Sequence, residues 1–137
     1  MTQENEASIN KKEIFFEDFT GDRINRDHWN ILVTGDIFNH EQQAYVDSQE
    51  TVYTQPGDPT DANGVLVLQP RYHPNYTTRE SKSFDFISGR IDTKGKIEFI
   101  HGEISARIKM SFGAGLWPAF WLIGQGSWPD CGEIDIM

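Results

Sequence analysis

Glu133 and Asp135, in Gly132-Glu133-Ile134-Asp135-Ile136-Met137, are carboxylates spaced as neighbours on one face of a β-strand. Side chains alternate along a strand, so Glu133, Asp135 and Met137 would face one way while Ile134 and Ile136 anchor the other face in a core. Acids above and isoleucines below describe a strand that floors a cleft; a solvated acidic face is the plainer reading of an isolated Glu-x-Asp. Hydrolysis of a glycosidic bond with retention needs two carboxyl groups roughly 5 to 5.5 Å apart, one to attack the anomeric carbon and one to protonate the leaving oxygen. One strand can supply both, because residues i and i+4 share a face with Cα atoms about 13 Å apart and two glutamate arms close most of that gap. An aspartate between them helps keep the acid protonated and orients the nucleophile. Position i+4 here is Met137, which excludes the evenly alternating version. In the remaining version a β-bulge adds one residue and turns a glutamate at position 138 back to the face of Glu133.

The elements that would hold such a strand are short and β-like. Gly, Pro, Asn and Asp interrupt the chain every ten residues or so, and no window carries a long apolar stripe of helical period. Strands are expected at 14–19, 43–46, 51–53, 65–69, 82–86, 89–92, 96–100, 103–110, 117–123 and 133–137, with a turn-rich loop at 58–64. In 103–110 the alternation is clean, with Ile104, Ala106, Ile108 and Met110 inward. Residues 116–123 are apolar on both faces, as in a central strand between two layers, although Pro118 cannot donate to a ladder. Trp117, Ala119, Trp121 and Ile123 share one side of it; Pro118, Phe120 and Leu122 share the other. Such strands without helical crossovers fit an all-β, two-layer sandwich.

Composition narrows the partners. The chain has 137 residues, enough for one domain or part of one, with 12 Lys and Arg against 21 Asp and Glu and a net charge of −9. That charge repels phosphate backbones and anionic membranes, so neither nucleic acid nor a membrane is an expected partner. No apolar run is long enough for a membrane span, and residues 1–12 are polar, without the apolar stretch of a secretory signal; they are expected to form a disordered leader. Cys131, the only cysteine, has no partner for an internal disulfide and is expected to be a small turn residue rather than a nucleophile. His28, His40, His73 and His101 lack metal-ligand spacing, and serine-triad, phosphate-loop and dinucleotide signatures are absent. Aromatic residues make up 12% of the chain, including four Trp, and they cluster near the C-terminal acids. A neutral, ring-shaped ligand such as a carbohydrate would suit that surface.

The run Gly115-Leu116-Trp117-Pro118-Ala119-Phe120-Trp121-Leu122-Ile123-Gly124, followed by Trp128-Pro129 and the acidic strand, resembles glycoside hydrolase family 16, whose laminarinase-like members carry the bulged signature. The resemblance extends upstream through residues 88–96 and through Asn39-His40-Glu41-Gln42-Gln43-Ala44-Tyr45, so it covers residues 13–137. It implies a β-jelly-roll of the concanavalin A type, incomplete in this chain, in which Glu133 is the nucleophile, Asp135 the assisting carboxylate and a glutamate one residue past Met137 the general acid/base. It further implies that Trp117 and Trp121 line sugar subsites, that Asn39, Glu41 and Gln43 sit in the cleft, and that Arg90 helps to bind sugar. For the tryptophans the competing reading is core packing. Asn39, Glu41 and Gln43 fall at alternate positions and could equally form a hydrated edge strand; Arg90 could equally form a surface ion pair. Phe38 stands where many relatives have glycine.

The function expected from this resemblance is hydrolysis of internal β-1,3 bonds in laminarin-type β-glucans, outside the cell, by a monomer when complete, with no cofactor for catalysis. A structural calcium is possible by the same resemblance, with a ligand from Phe15-Phe16-Glu17-Asp18-Phe19. As it stands the chain is expected not to turn over, lacking the acid. A glucan-binding lectin-like module, an enzyme for mixed-linkage glucan or agarose, and a structural protein with an acidic face are the alternatives, since architecture alone does not fix function.

Overall fold

The computed structural model describes residues 12–60 and 62–137. Except for Lys12, the expected leader lies outside the described residues. No helix occurs among the described residues, whose strands are β1 (Asn30–Ile31), β2 (Gln43–Tyr45), β3 (Val52–Pro56), β4 (Gly64–Leu68), β5 (Arg71–Thr77), β6 (Ser83–Ser88), β7 (Ile91–Asp92), β8 (Trp121–Ile123) and β9 (Glu133–Asp135). They fall into two units, Met1–Ile100 and His101–Met137.

In the first unit, β2, β6 and β5 form a sheet in that order, β3 pairs with β4, and β1 pairs with β7. β2 runs parallel to β6, setting Gln43, Ala44 and Tyr45 against Phe86, Ile87 and Ser88; the other pairs are antiparallel. Ala44, Val46, Val52, Phe84 and Ile87 are buried in the core together with Ile24, and period-two alternation places Ala44 and Val46 there. Thr51 is wholly buried there; its hydroxyl donates to the carbonyls of Val46 and Ser48, each at 3.2 Å, which satisfies it. Gly89 is required beside it, because a Cβ at that position would lie 2.5 Å from the Thr51 carbonyl oxygen.

Arg26 clamps Asp47 from the edge of this unit with two hydrogen bonds of 2.8 and 2.7 Å. The guanidinium holds the Asp47 carboxyl below its usual range, outweighing the opposing effect of burial. A depressed carboxyl pKa contributes stability above the unfolded value of 3.8 and loses it as pH falls through the lowered folded value. Both side chains are about half exposed, so screening leaves the clamp about 0.5 kcal/mol. Asp47→Asn is therefore expected to lower the urea midpoint slightly at pH 7, and the two forms should converge in strong acid.

Three expected strands are not formed, each for a visible reason. At 14–19, Phe19 takes a φ of 52° and the Glu17 side chain accepts the Phe19 N–H, so the chain turns instead of extending; Phe15 and Phe19 pack their rings on Trp29. At 96–100, the amides of Lys96 and Ile97 bond back to the Thr93 carbonyl around Gly95 at φ 72°, and Lys96 Nζ reaches the carbonyls of Arg26 and Trp29. Residues 103–110 keep their alternating sequence, but no strand pairs with them among the described residues, and the expected inward set Ile104, Ala106, Ile108 and Met110 is exposed. The other expected strands are present with shifted ends. Two unforeseen ones appear: the two-residue β1, and β5, an edge strand with a register shift between Tyr72 and Tyr76 and a left-handed Asn75 after Pro74.

The second unit contains the antiparallel pair β8–β9. Residues 124–132 connect them; Gly124 N donates to Gly132 O at 3.1 Å, and Cys131 sits in this turn with its amide bonded to Ser127 O. A side chain at position 124 would meet the Cys131 carbonyl oxygen at 2.0 Å, so the turn closes only around glycine.

Candidate active site

The β8–β9 register places Trp121 opposite Asp135, Leu122 opposite Ile134 and Ile123 opposite Glu133. Directly opposed residues of an antiparallel pair share a face, so Trp121, Ile123, Glu133 and Asp135 lie on one side, and Leu122 and Ile134 on the other. Both carboxylates are exposed and Trp121 is half-buried.

Beyond β9 the ladder changes. Ile136 N and Met137 N both donate to Phe120 O, at 2.9 and 3.1 Å, while Phe120 N donates to Met137 O at 3.1 Å. Two residues thus oppose one, which is the hydrogen-bond pattern of a β-bulge. The extra residue takes up one step of alternation, so Met137 no longer follows Glu133 and Asp135 to their face as plain alternation requires. A strand continued from Met137 would bring its next side chain onto the face of the two acids.

Other expectations for this unit need correction. Ile134 and Ile136 are not buried anchors; they remain 63% and 45% exposed. The extended stretch from 117 shrinks to Trp121–Ile123, with β9 its one partner among the described residues. Trp117 lies before the strand and is 68% exposed, so no ladder fixes its side as one fixes Trp121.

Polar residues of the first unit are joined by hydrogen bonds. Asn39, Glu41 and Gln43 do not line one strand, because Asn39 and His40 both take left-handed φ values of 51° and 62° and Glu41 N closes a turn onto Phe38 O at 2.9 Å. Two successive positive φ values define a type I′ turn, a conformation that asparagine tolerates well. Asn39 therefore sits at a turn tip, and the strand begins only at Gln43. Glu41 is still drawn to the strand face: Tyr45 Oη donates to Glu41 Oε1 at 2.9 Å, and Gln43 Nε2 donates to Tyr45 Oη at 3.1 Å. The Arg90 guanidinium carbon lies 5.7 Å from the Tyr45 ring centroid, in cation–π range. Burial, and next the hydrogen bond to Glu41, push the Tyr45 phenol above its usual titration range. Tyr45 was not expected at this site; its parity with Gln43 was the available signal.

In the segment 15–19, Glu17 Oε1 accepts Phe19 N at 3.2 Å and its Oε2 accepts His28 Nδ1 at 3.0 Å and Trp29 Nε1 at 3.1 Å. No group of three or more His, Cys, Asp or Glu poised to hold a metal occurs among the described residues.

Comparison with known proteins gives the family of the chain. Residues 44–137 match the model described as the XgeA-like catalytic domain of glycoside hydrolase family 16. The glucan endo-1,3-beta-glucosidase A1 of Niallia circulans is 30% identical over 90% of this chain and 19% of its own length. The glucan endo-1,3-beta-glucosidase of Cryptopygus antarcticus is 31% identical over 88% and 43% respectively. The solved catalytic domain of the laminarinase from Thermotoga petrophila RKU-1 superposes with a TM-score of 0.73 at 31% identity, covering 88% of this chain and 48% of that one. The chain thus spans less than half the length of these relatives, and within that span its all-β strands are those of the jelly-roll glucanases. On the match of its acid-bearing hairpin and most of its first unit, the chain belongs to glycoside hydrolase family 16.

Proposed function

We propose that this chain belongs to a catalytic domain that cleaves internal β-1,3-glucosidic bonds of laminarin-type glucans with retention, outside the cell where such polymers lie. The observation that carries the reading is the shared face of Glu133, Asp135 and Trp121, followed by a bulge that prepares one more side chain for it. In the first half-reaction a Glu133 oxygen bonds to the anomeric carbon as the glycosidic C–O bond breaks, and the leaving oxygen takes a proton from an acid on the same face. In the second, that group removes a proton from water, whose oxygen displaces Glu133 and restores its carboxylate. Asp135, two residues from Glu133 on the same face, holds negative charge beside both steps. Trp121 offers an apolar indole to the C–H face of a pyranose ring.

The test incubates laminarin, mixed-linkage glucan and agarose with this chain and with a version continued through glutamate at position 138 and the further strands of a family domain. Proton NMR then reads the anomer released first. The continued version is expected to release β-anomers from laminarin, and the 137-residue chain none. First release of the α-anomer rejects retention, and binding of laminarin without cleavage by the longer version favours the lectin-like alternative.

A further inference from the structure

The Glu41 cluster carries a directional hydrogen-bond chain that can be read atom by atom. A carboxylate only accepts, so the single phenolic proton of Tyr45 must point at Glu41 Oε1. The phenol oxygen is then left as an acceptor, which requires Gln43 to turn its amide nitrogen, not its carbonyl, toward Tyr45. One hydroxyl thereby fixes both the rotation of the Glu41 carboxylate and the flip of the Gln43 amide. The raised titration of the phenol keeps that proton in place through neutral and mildly alkaline pH.

Glu41 Oε2 is buried and has no hydrogen-bond partner among the described residues. A buried carboxylate oxygen in that state calls for a donor, and a sugar hydroxyl is one. Gln43 has its carbonyl, a second acceptor, turned away from Tyr45, while Arg90 brings a cation to the Tyr45 ring. Two acceptors held in a fixed array beside a cationic group match the hydroxyls of a neutral saccharide, each of which both donates and accepts.

We propose that Tyr45 is a positioning residue of the saccharide site, holding Glu41 and Gln43 in the one arrangement that presents acceptors to sugar hydroxyls, with its ring supporting Arg90. The inference rests on the reading of the domain as a glucan binder, and adds a residue that the sequence alone did not single out.

The test measures binding of a β-1,3-linked gluco-tetrasaccharide by calorimetry, with thermal midpoints recorded in parallel. It uses the 137-residue chain, its Tyr45→Phe and Glu41→Gln forms, and the double form. Tyr45→Phe keeps the ring and removes only the hydroxyl, so it is expected to weaken binding about fivefold, the effect of one ordinary hydrogen bond, while the midpoint changes little. Because Tyr45 acts through Glu41, the double form should bind no more weakly than the weaker single form. Equal affinity of the parent and Tyr45→Phe chains overturns the inference and leaves the laminarin reading intact. So does a lowered midpoint with unchanged affinity, or losses that simply add. If the parent chain ignores this tetrasaccharide but binds a mixed-linkage or agarose oligosaccharide, again fivefold more weakly after Tyr45→Phe, the positioning role stands and the laminarin assignment falls. If it binds none of them, both are overturned.

Discussion

Glu133→Gln is expected to slow transfer of a laminaribiosyl group from its dinitrophenyl glycoside to the protein by about a thousandfold or more, the scale on which an essential nucleophile is lost. Dinitrophenolate leaves without a proton, so this substrate isolates the attack of the carboxylate from the acid that assists ordinary glucans. The chain can therefore be tested as it is. Attack by a Glu133 oxygen forms an ester to the anomeric carbon and expels the phenolate; because dinitrophenolate leaves fast, the ester should form faster than water removes it and should accumulate. Mass spectrometry of the digested protein should find one disaccharide adduct, on the peptide that contains Glu133. Asp135→Asn retains the nucleophile and should retain the adduct, formed more slowly because the neighbouring charge is gone. An adduct on Asp135, or undiminished labelling of Glu133→Gln, would reverse the roles of the two acids. Asp135 lies directly opposite Trp121 and Glu133 directly opposite the aliphatic Ile123, and both carboxylates are exposed to a substrate.

What the sequence made legible follows from what alternation encodes. Alternation reports the face of a side chain relative to its neighbours, and that was enough to set Glu133 and Asp135 together. The methionine at i+4 added that any further acid must come through a bulge, and the paired bonds of Ile136 and Met137 to Phe120 O have that form. Alternation does not report a partner. Residues 103–110 alternate as cleanly as any segment of the chain, yet a strand is made by hydrogen bonds across a ladder, and no described neighbour supplies them. It also presumes extended backbone, which fails where two left-handed residues intervene; Asn39-His40 broke the expected Asn39, Glu41, Gln43 face for that reason. The preference of asparagine for such turns was the readable warning. β5 was hidden by Pro74 and by its polar residues, which suit an edge strand that needs only one neighbour. Tyr45 entered only as the last residue of the motif that begins at Asn39, and the bond from its hydroxyl to Glu41 is what the structure adds.

The choice between cleft and core for the tryptophans yields the second large effect. Trp121 is held by its backbone ladder on the face of both acids and is half-buried, so its ring is partly fixed before any ligand arrives. Trp117 has no such ladder and is 68% exposed, and ordering it on a sugar costs side-chain entropy. Covering one face of a pre-placed indole is expected to contribute about 2 kcal/mol, so Trp121→Ala should weaken laminarin binding about thirtyfold. Trp117→Ala should weaken it only about threefold, after the entropy of ordering is subtracted. Trp121→Phe keeps an aromatic face of smaller area and should recover part of the loss. Fluorescence separates the two tryptophans, because the change in emission on adding laminarin should disappear in Trp121→Ala and persist in Trp117→Ala. If instead Trp117→Ala abolishes binding while Trp121→Ala binds as the parent does, the stacking platform is the unpaired segment before β8. The face shared by Glu133, Asp135 and Trp121 would then be an acid-bearing surface without a sugar site beside it.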